Sequence, residues 1–397
     1  MDDSGEVLAF RARDGVEVRH LRAFVAVAEE LNFSRAAERL YLSQPALSRQ
    51  IRTLERVVGC ALLRRSTHRV ELTLAGSALL DRARPVLAAL DEAIAAAQSV
   101  GGELAARIMR LWAPVLAVAT DQTSIQALRE VFEDFLAQTP MPPEITVRPV
   151  TAGGVPALVL GDEPAILYLH GGGYLLGSAY GYRPLVGALV SASGTGALVA
   201  DYRLAPEHPF PAAVEDALAA YRWLIDRRGG ASSVVLAGDS SGAGLALALL
   251  LKLKADKQRL PASAVLLCPS VDLSGGMLSP GTGPHLMDDM GRTAQAYLAG
   301  HPIEDALVSP LRGDLAGLPP LLVQCASGDR VRPEAEALAD RAREHGVQVR
   351  LEHYPSDAHV FHVFWSFLPE AVDALAKAGA FIRDTLSTQQ AATGRTG

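Results

Sequence analysis

The chain has 397 residues, of which 49% are hydrophobic and 20% are charged, so it is long enough for two domains with large apolar cores. This composition excludes extensive disorder beyond the chain ends, and three widely separated cysteines argue against a disulfide framework. The acidic first residues lack the order of a signal peptide, and no apolar stretch is long enough to span a membrane. We therefore expect a soluble cytoplasmic protein without a membrane partner.

The formal net charge of −7 is unevenly distributed along the chain. Residues 16–76 contain ten arginines, six glutamates and neither lysine nor aspartate, so this segment carries +4 and leaves −11 for the rest of the chain. A basic segment on an acidic chain indicates two domains with different partners.

Three short helices are predicted within the basic segment. The first carries an apolar stripe at helical spacing and ends near Asn32, and the second runs from a cap at Ser34 through Leu40. Ser43 is expected to cap the third helix. Its first turn tolerates Pro45 because an N–H group there would have no partner within the helix.

The third helix has one apolar face and one polar, cationic face. Its apolar positions are Leu47, Ile51, Leu54 and Val58, and its polar positions are Ser48, Arg49, Arg52 and Arg56. Four further cationic or titratable residues follow where a wing is expected: Arg64, Arg65, His68 and Arg69. Such a helix is suited to lying in a DNA major groove, but an arginine-bearing helix is also typical of an ordinary solvated face, and charge alone favours the solvated face.

The order of residues in this segment resembles the winged helix-turn-helix of LysR-type transcriptional regulators. The matching motifs are Val18-Arg19-His20-Leu21, Phe33-Ser34-Arg35-Ala36-Ala37, Leu42-Ser43-Gln44-Pro45-Ala46-Leu47-Ser48, Leu54-Glu55 and Leu72-Thr73-Leu74-Ala75-Gly76. The resemblance implies double-stranded DNA as a partner. The residues that it implies near the bases are Gln44, Pro45, Ser48 and Arg49, and those that it implies on the phosphate backbone are Arg52, Arg64 and Arg65.

Residues 77–100 are predicted to form a linker helix. Its apolar stripe consists of Leu79, Ala83, Leu87, Leu90 and Ile94. The LysR resemblance implies that this helix pairs in a homodimer or higher oligomer, but the stripe is also compatible with packing on the second domain of its own chain. An interior proline costs roughly 3 kcal/mol, so Pro85 is expected to kink or split the helix unless a first turn begins there. Gly101-Gly102 is the expected hinge.

After residue 143 the pattern changes to alternating strands and helices. Strands are predicted near residues 145, 157, 167, 198, 235, 265, 322 and 350, and helices near 185, 215, 245, 335 and 375. We thus expect an all-α winged helix-turn-helix over residues 16–76, the linker helix over 77–100, and a hinge and helical cap segment over 101–143. Residues 144–390 are expected to form an α/β-hydrolase domain with an eight-stranded, mostly parallel sheet.

The central motif of this second domain is Gly238-Asp239-Ser240-Ser241-Gly242, which stands between an apolar strand and an apolar helix. Gly-x-Ser-x-Gly alone is weak evidence, but in this setting it predicts a nucleophile elbow, a tight turn that exposes the Ser240 hydroxyl. Glycines are expected on both sides because the strand and the helix approach too closely there for any Cβ.

An acid and a base follow the elbow in the chain order that this fold requires. Asp329 comes after the strand 321–325, and His359 comes after the strand 347–354. His359 is expected to take the Ser240 proton, while Asp329 orients the imidazole and stabilises its cation.

A glycine run upstream of the elbow is the predicted oxyanion hole. The strand 166–169 leads into His170-Gly171-Gly172-Gly173-Tyr174, whose backbone N–H groups can face an anion. We expect two among Gly171, Gly172 and Gly173, together with the N–H of Ser241, to meet the charge that develops on a substrate carbonyl.

Together these motifs resemble the hormone-sensitive-lipase-like esterases and lipases. The third matching motif, besides the glycine run and the elbow, is Asp201-Tyr202-Arg203-Leu204-Ala205-Pro206-Glu207, which we interpret as a structural loop. The sequence departs from the family where Ser241 and Ala243 replace the common alanine and glycine, and where Asp329-Arg330-Val331 replaces Asp-Pro-Leu. The resemblance implies hydrolysis of small to medium acyl esters.

Several other residues have competing interpretations. Asp272 is an alternative acid, whereas His353 and His362 are expected to be structural or lining groups. The possible ligands His285, Asp288 and Asp289 lie where the family has its helical cap, so we expect neither a metal nor another cofactor. Four aromatic residues can line an apolar acyl pocket or belong to an ordinary core: Trp112, Phe132, Phe135 and Tyr180.

The combination predicts a serine carboxylesterase fused to a LysR-type DNA-binding domain, acting as an ester-responsive transcriptional regulator. One alternative is a non-catalytic regulator that uses the hydrolase fold as a ligand receptor, although the presence of His359 counts against it. The other is a plain esterase with a non-functional DNA-binding head.

Overall fold

The computed structural model describes residues 15–65, 70–119, 123–278 and 290–393. The chain forms two compact units, Met1–Leu104 and Ala105–Gly397. None of the helices within the described ranges is both long enough and apolar enough to cross a bilayer.

The first unit contains three short helices and a two-stranded hairpin. The helices are α1 (Val18–Glu30), α2 (Phe33–Arg39) and α3 (Gln44–Val58), and the antiparallel strands are β1 (Leu63–Arg65) and β2 (Val70–Leu72). The core is built from their apolar faces and includes Phe24, Val27, Leu47, Ile51 and Leu54. The predicted winged helix-turn-helix is therefore confirmed as a fold.

Side-chain caps fix where α2 and α3 begin. Ser43 accepts a hydrogen bond from the backbone N–H of Ala46 at 3.4 Å, as expected for an N-cap. The predicted Ser34 cap of α2 is wrong, because Asn32 accepts from the N–H groups of Ser34 and Arg35 at 2.9 and 3.1 Å. Asn32 is one of the strongest capping residue types and stands one position before the helix, where its side chain reaches both donors.

A single long helix, α4 (Leu74–Val118), follows the hairpin. It is split neither at Pro85 nor at Gly101-Gly102, and both glycines are helical. The hinge at these glycines stays a prediction. Alanine and leucine dominate the flanking sequence, and the roughly 1 kcal/mol that each glycine costs is too little to end a helix among such strong helix formers. Pairing of this helix in a homodimer or higher oligomer stays a prediction.

The second unit is built on an eight-stranded sheet. Its strands are β3 (Val147–Ala152), β4 (Val155–Leu160), β5 (Pro164–Leu169), β6 (Gly196–Ala200), β7 (Val235–Asp239), β8 (Ser263–Leu267), β9 (Leu321–Ala326) and β10 (Val349–Tyr354). They lie in the order β10-β9-β8-β7-β5-β6-β4-β3, and only the β3–β4 and β4–β6 pairs are antiparallel. The predicted mostly parallel sheet is confirmed, and each strand lies within a few residues of its predicted centre.

Helices cover the sheet and connect its strands. They are α5 (Ile125–Leu136), α6 (Arg183–Ser193), α7 (Ala212–Arg228), α8 (Ser240–Ala255), α9 (Met290–Leu298), α10 (Arg332–Glu344) and α11 (Pro369–Thr393). Helices α6 and α11 pack against each other, as do α7 and α8. Strands β6, β7, β8 and β9 are buried along their whole length. Because β7, β8, β9 and β10 run parallel, the carboxyl ends of β7, β9 and β10 lie at the same edge of the sheet, where the loops that follow them can build a site.

Candidate active site

Ser240 stands at the sharp turn from β7 into α8. Its φ angle of 50° lies in the left-handed region, which a residue other than glycine rarely adopts. A Cβ at Gly238 would lie 2.6 Å from the Gly242 carbonyl oxygen, and a Cβ at Gly242 would overlap the carbonyl oxygens of Leu169 and His170. The close approach of β5, β7 and α8 therefore requires both glycines, as the elbow motif predicts.

Three side chains from three different loops form a chain of hydrogen bonds. The Ser240 hydroxyl lies 2.8 Å from His359 Nε2, and His359 Nδ1 lies 2.7 Å from Asp329 Oδ2. Because a buried carboxylate accepts, Nδ1 carries the proton and Nε2 is free to accept from the serine. This is the geometry of an activated serine nucleophile.

The loops that carry the acid and the base are tied together by their backbones. Ser327 N–H donates to the Tyr354 carbonyl at 2.8 Å, and Gly328 N–H donates to the Ser356 carbonyl at 3.0 Å. The N–H of Val331 donates to Asp329 Oδ1 at 3.1 Å, which orients the carboxylate. These bonds hold Asp329 and His359 at a fixed separation.

Burial and charge act in opposite directions on His359. Burial is the largest single effect and lowers the pKa of the imidazole. The charge and hydrogen bond of Asp329, together with the charges of Asp239 and Glu334, raise it, and the net pKa lies above its ordinary value of 6.5. Asp272, the alternative acid, instead accepts from the N–H of Ser274 at 3.1 Å and lies 3.7 Å from Arg312. The acid that contacts His359 is therefore Asp329.

The glycine run lies beside Ser240 but does not offer all its N–H groups to the pocket. Gly172 and Gly173 line the pocket and have φ angles of 114° and 63°. The expectation that Gly171 is a candidate donor is corrected, because its N–H donates to Asp239 Oδ1 at 3.0 Å. Ser241 lies in the first turn of α8, where N–H groups have no partner within the helix.

Asp239 is a residue of the site whose role the sequence did not reveal. Its fully buried carboxylate also accepts from the hydroxyls of Tyr168 at 2.8 Å and Tyr182 at 3.1 Å. Burial raises its pKa to about 6, against these hydrogen bonds, which lower it. An acidic residue at the end of an otherwise apolar strand was the available signal, but nothing along the chain identified Gly171 and the two tyrosines as its partners.

A cavity of about 110 Å³ opens in front of Ser240 and His359. Its aromatic wall is formed by Phe132, Phe135 and Trp112, with 4.4 Å between the ring centroids of Trp112 and Phe135. Tyr180, predicted with them, is 62% exposed and stacks under the Arg183 guanidinium instead. Its position in a loop ahead of α6 turns the ring towards solvent.

Two further histidines from the sequence analysis have hydrogen-bond partners outside the chain of Ser240, His359 and Asp329. His353 Nε2 lies 3.0 Å from Glu336, and buried His362 lies 3.1 Å from Gln324, so neither contacts Ser240. Among the described residues, the group with metal-ligand chemistry is Cys268 with the triad's acid and base. Burial raises the pKa of the Cys268 thiol well above its usual range, which disfavours a thiolate ligand. The possible ligands His285, Asp288 and Asp289 lie outside the described residues.

The sequence and the fold both match known protein families. Residues 166–363 match the family model described as alpha/beta hydrolase fold. An acetyl-hydrolase from Streptomyces hygroscopicus is 45% identical over 227 residues, which cover 56% of this chain and 76% of that protein. A crystal structure of an esterase from the bacterial hormone-sensitive lipase family superposes with a TM-score of 0.64 at 36% identity, covering 70% of this chain and 98% of that one.

The chain belongs to the hormone-sensitive-lipase family of α/β-hydrolases. An esterase from Acinetobacter venetianus is also similar, with 32% identity over 64% of this chain and 88% of that protein. The predictions of the fold and of a carboxylic ester hydrolase are thereby confirmed at the level of the family.

The N-terminal head of this family member, residues 18–77, is similar to a different family. Residues 18–77 match the model of bacterial regulatory helix-turn-helix proteins of the lysR family. Of the predicted DNA contacts, Gln44, Pro45, Arg49, Arg52 and Arg64 are exposed, and Ser48 is half-buried. The side chain of Arg65 and the residues His68 and Arg69 lie outside the described part of the chain.

In this family member, Arg129 of α5 binds the loop that follows the glycine run. Nothing along the sequence identified this residue. Its guanidinium donates to the carbonyls of Leu175 and Ala205 at 2.8 and 2.9 Å and forms a two-bond ion pair with Glu207. This ion pair lowers the pKa of Glu207 to about 2. Glu207 belongs to the loop predicted to be structural, in which Tyr202 also donates to the His170 carbonyl at 2.6 Å.

Proposed function

We propose that the protein is a serine carboxylesterase whose DNA-binding head makes it an ester-responsive transcriptional regulator. The catalytic half rests on one observation, the unbroken chain of hydrogen bonds from Ser240 through His359 to Asp329. The roles of these residues below are those that this geometry supports best.

In the first half of the reaction, Ser240 Oγ attacks the ester carbonyl carbon while His359 Nε2 takes its proton. The N–H groups of Gly172, Gly173 and Ser241, three residues that line the pocket, stabilise the oxyanion in this proposal, and each such donor typically contributes about 3 kcal/mol to the transition state. His359 then gives the proton to the departing alkoxide, so the alcohol leaves and an acyl-enzyme remains.

In the second half, a water molecule attacks the acyl-enzyme carbonyl. His359 takes one proton from the water, and the tetrahedral intermediate collapses to break the bond to Ser240 Oγ, which receives that proton. The carboxylic acid leaves and the serine is restored. Asp329 keeps the imidazole in the correct tautomer and stabilises its cation in both halves.

The test is hydrolysis of short-chain p-nitrophenyl esters by the wild type and by three variants, Ser240→Ala, His359→Ala and Asp329→Ala. We expect kcat to fall by about 10⁴-fold or more for each, because the three groups act as a unit. His353→Ala is the matched control, since this histidine is exposed and bound to Glu336, and it should retain wild-type kcat. Wild-type turnover by Ser240→Ala would contradict the proposal.

The regulatory half rests on the head and on α4. The head presents an exposed, cationic α3 beside a hairpin, and α4 continues from that head into the hydrolase. Leu80 of α4 belongs to the core of the first unit, while Trp112 of the same helix lines the pocket in front of Ser240. An ester in that pocket would thus contact the helix that also supports the DNA-binding head.

DNA binding is tested on DNA fragments that the full-length protein selects from a random pool. Arg49→Ala should weaken binding about 5- to 150-fold if this side chain reads a base, and Arg52→Ala should reduce the salt dependence of binding if this side chain contacts a phosphate. Arg19→Ala is the control, because this exposed arginine pairs with Glu17. Unchanged affinity and salt dependence in both variants would disprove the DNA-binding role.

A further inference from the structure

The pocket in front of Ser240 contains two hydroxyls that the reaction does not use. Ser241 and Ser270 both line it, and the two residues are 3% and 6% exposed. Within the described residues, neither Oγ atom has a hydrogen-bond partner. Burying a hydroxyl without a partner is unfavourable, so each of these oxygens is poised to bind a polar atom inside the pocket.

Neither hydroxyl is needed to build the site, because both residues do their structural work through the backbone. Ser241 is placed to offer its N–H to the oxyanion. Ser270 donates its N–H to the Ser240 carbonyl at 3.1 Å, and its own carbonyl packs against Gly244. Alanine would serve these backbone roles at both positions.

The carboxylate, phenol and imidazole groups of the pocket already have hydrogen-bond partners. Asp239 accepts three hydrogen bonds, one of them from Tyr182, and His359 contacts both Ser240 and Asp329. The remaining wall is mostly aromatic and aliphatic. The indole N–H of Trp112 also has no partner among the described residues, but it can only donate. The hydroxyls of Ser241 and Ser270 are therefore the unpartnered side-chain groups of this pocket that can both donate to and accept from a substrate.

We propose that Ser241 and Ser270 form a polar subsite that selects esters carrying a second oxygen, as a hydroxyl or keto group, close to the scissile carbonyl. The closeness follows from the backbone, since Ser241 is next to the nucleophile in sequence and Ser270 is hydrogen-bonded to its carbonyl. A serine hydroxyl both donates and accepts, so it can bind either kind of oxygen. The subsite would define the substrate class of the proposed esterase, so this proposal rests on the proposed function.

The test compares kcat/KM for five esters by titrating the acid released. Ethyl butyrate is the plain reference, and ethyl 2-hydroxybutyrate, ethyl 3-hydroxybutyrate and ethyl 3-oxobutyrate carry the second oxygen on the acyl group. The ester 2-hydroxyethyl butyrate carries it on the alcohol, so the panel shows which side of the ester the subsite reads. We expect the wild type to prefer at least one oxygenated ester over ethyl butyrate by about 10-fold or more.

The variants Ser270→Ala, Ser241→Ala and the double variant should reduce this preference, with the ratio approaching 1 in the double variant. Ser191→Ala is the control, because this serine lies outside the pocket and bonds to Glu144. A wild type without any preference, or a double variant that keeps it, would overturn the subsite. So would an equal fall of kcat on all five esters in a folded double variant, which would indicate a catalytic role.

If the proposed esterase function were wrong, the same experiment would give a different result. In that case the wild type would hydrolyse none of the five esters, and the proposed substrate selection would fall with it. If Ser240→Ala abolishes the hydrolysis of all five esters while the ratios among them do not depend on Ser241 or Ser270, the esterase stands and only the subsite is wrong.

Discussion

Asp239 connects two strand ends that must keep a fixed distance for catalysis. It precedes the nucleophile on β7, and its carboxylate binds the N–H of Gly171 at the start of the glycine run after β5. The hydroxyls of Tyr168 and Tyr182 hold the same carboxylate in place. We therefore propose that this buried side chain is a positioning residue, which holds the proposed oxyanion donors in place relative to Ser240.

Replacing Asp239 by asparagine is expected to lower kcat by about 10- to 100-fold with a smaller change in KM. The new NH₂ group would face one of the three groups that now donate to the carboxylate: the N–H of Gly171 or the hydroxyl of Tyr168 or Tyr182. The glycine run would then be displaced, which would weaken the proposed hydrogen bonds to the oxyanion, and these form only in the transition state. Steady-state kinetics with a p-nitrophenyl ester measure the effect. Asp226→Asn, at an exposed position of α7, is the control, and a purely structural role would instead lower the unfolding temperature and leave kcat intact.

The pH dependence of kcat/KM should report the raised pKa of His359. A raised pKa keeps the imidazole protonated to higher pH, and the protonated form cannot accept the Ser240 proton, so activity should rise with pH through an apparent pKa above 6.5. Three carboxylates act on His359: Asp329, Asp239 and Glu334. Burial raises the pKa of Glu334 to about 7, so the profile belongs to the coupled set.

The same profile measured for the residual activity of Asp329→Asn should shift to lower pH, because the charge that raises the histidine pKa is removed. An apparent pKa at or below 6.5 in the wild type would contradict this assignment. An unshifted profile in Asp329→Asn would show that another carboxylate dominates.

Helix α4 is the element that is common to both units. Its first turns contribute Leu80 to the core of the head, and its last turns bury Ile108, Trp112 and Val115. Between these ends lie Gly101 and Gly102, both exposed, where an added Cβ would have no atom within 4 Å. Within the described part of α4, these two glycines therefore combine a low helix propensity with no close neighbour.

Gly101→Ala and Gly102→Ala are each expected to stabilise the helix, and with it the protein, by about 0.5–1 kcal/mol. Alanine adopts the helical conformation at a lower entropic cost than glycine and meets no neighbour here. Denaturant unfolding followed by circular dichroism measures the change. Gly59→Ala is the opposite control, because its φ of 82° is strained for alanine, and it should destabilise. Destabilisation by the α4 variants would indicate that these glycines are not helical in solution.

At the scale of the whole molecule, the chain joins an esterase to a DNA-binding fold through one helix. If pocket occupancy alters α4, the ligand and the DNA must influence each other's binding by the same factor. If Ser240 is the nucleophile, as proposed, it offers a way to fill the pocket permanently, because an organophosphate reacts with an activated serine and remains attached to it.

Full-length protein modified at Ser240 by diethyl p-nitrophenyl phosphate should differ from unmodified protein in its affinity for selected DNA. Couplings of this kind are typically about 5- to 150-fold. The control is Ser240→Ala treated with the same reagent, in which the affinity should not change. Equal affinities of modified and unmodified protein would contradict coupling and favour an esterase and a DNA-binding head that work independently.

Features that depend on local spacing could be predicted from the sequence. The elbow around Ser240, the acid and base after later strands, the third helix of the head and the eight-stranded sheet all follow from short-range patterns. A strand has a period of two residues and a helix a period of 3.6, and a tight turn needs glycine wherever it occurs. These constraints act within a few residues, so the chain order is enough to recognise them.

Other features were decided only when distant segments met. The sequence did not show that Gly171 donates to Asp239, that Arg129 clamps α5 to the glycine-run loop, or that Tyr180 points away from the pocket. It also did not show that the hydroxyls of Ser241 and Ser270 share one pocket. Each of these facts depends on contacts between residues far apart in the chain. Such contacts are set by the packing of the whole sheet and its helices, and no local period encodes them.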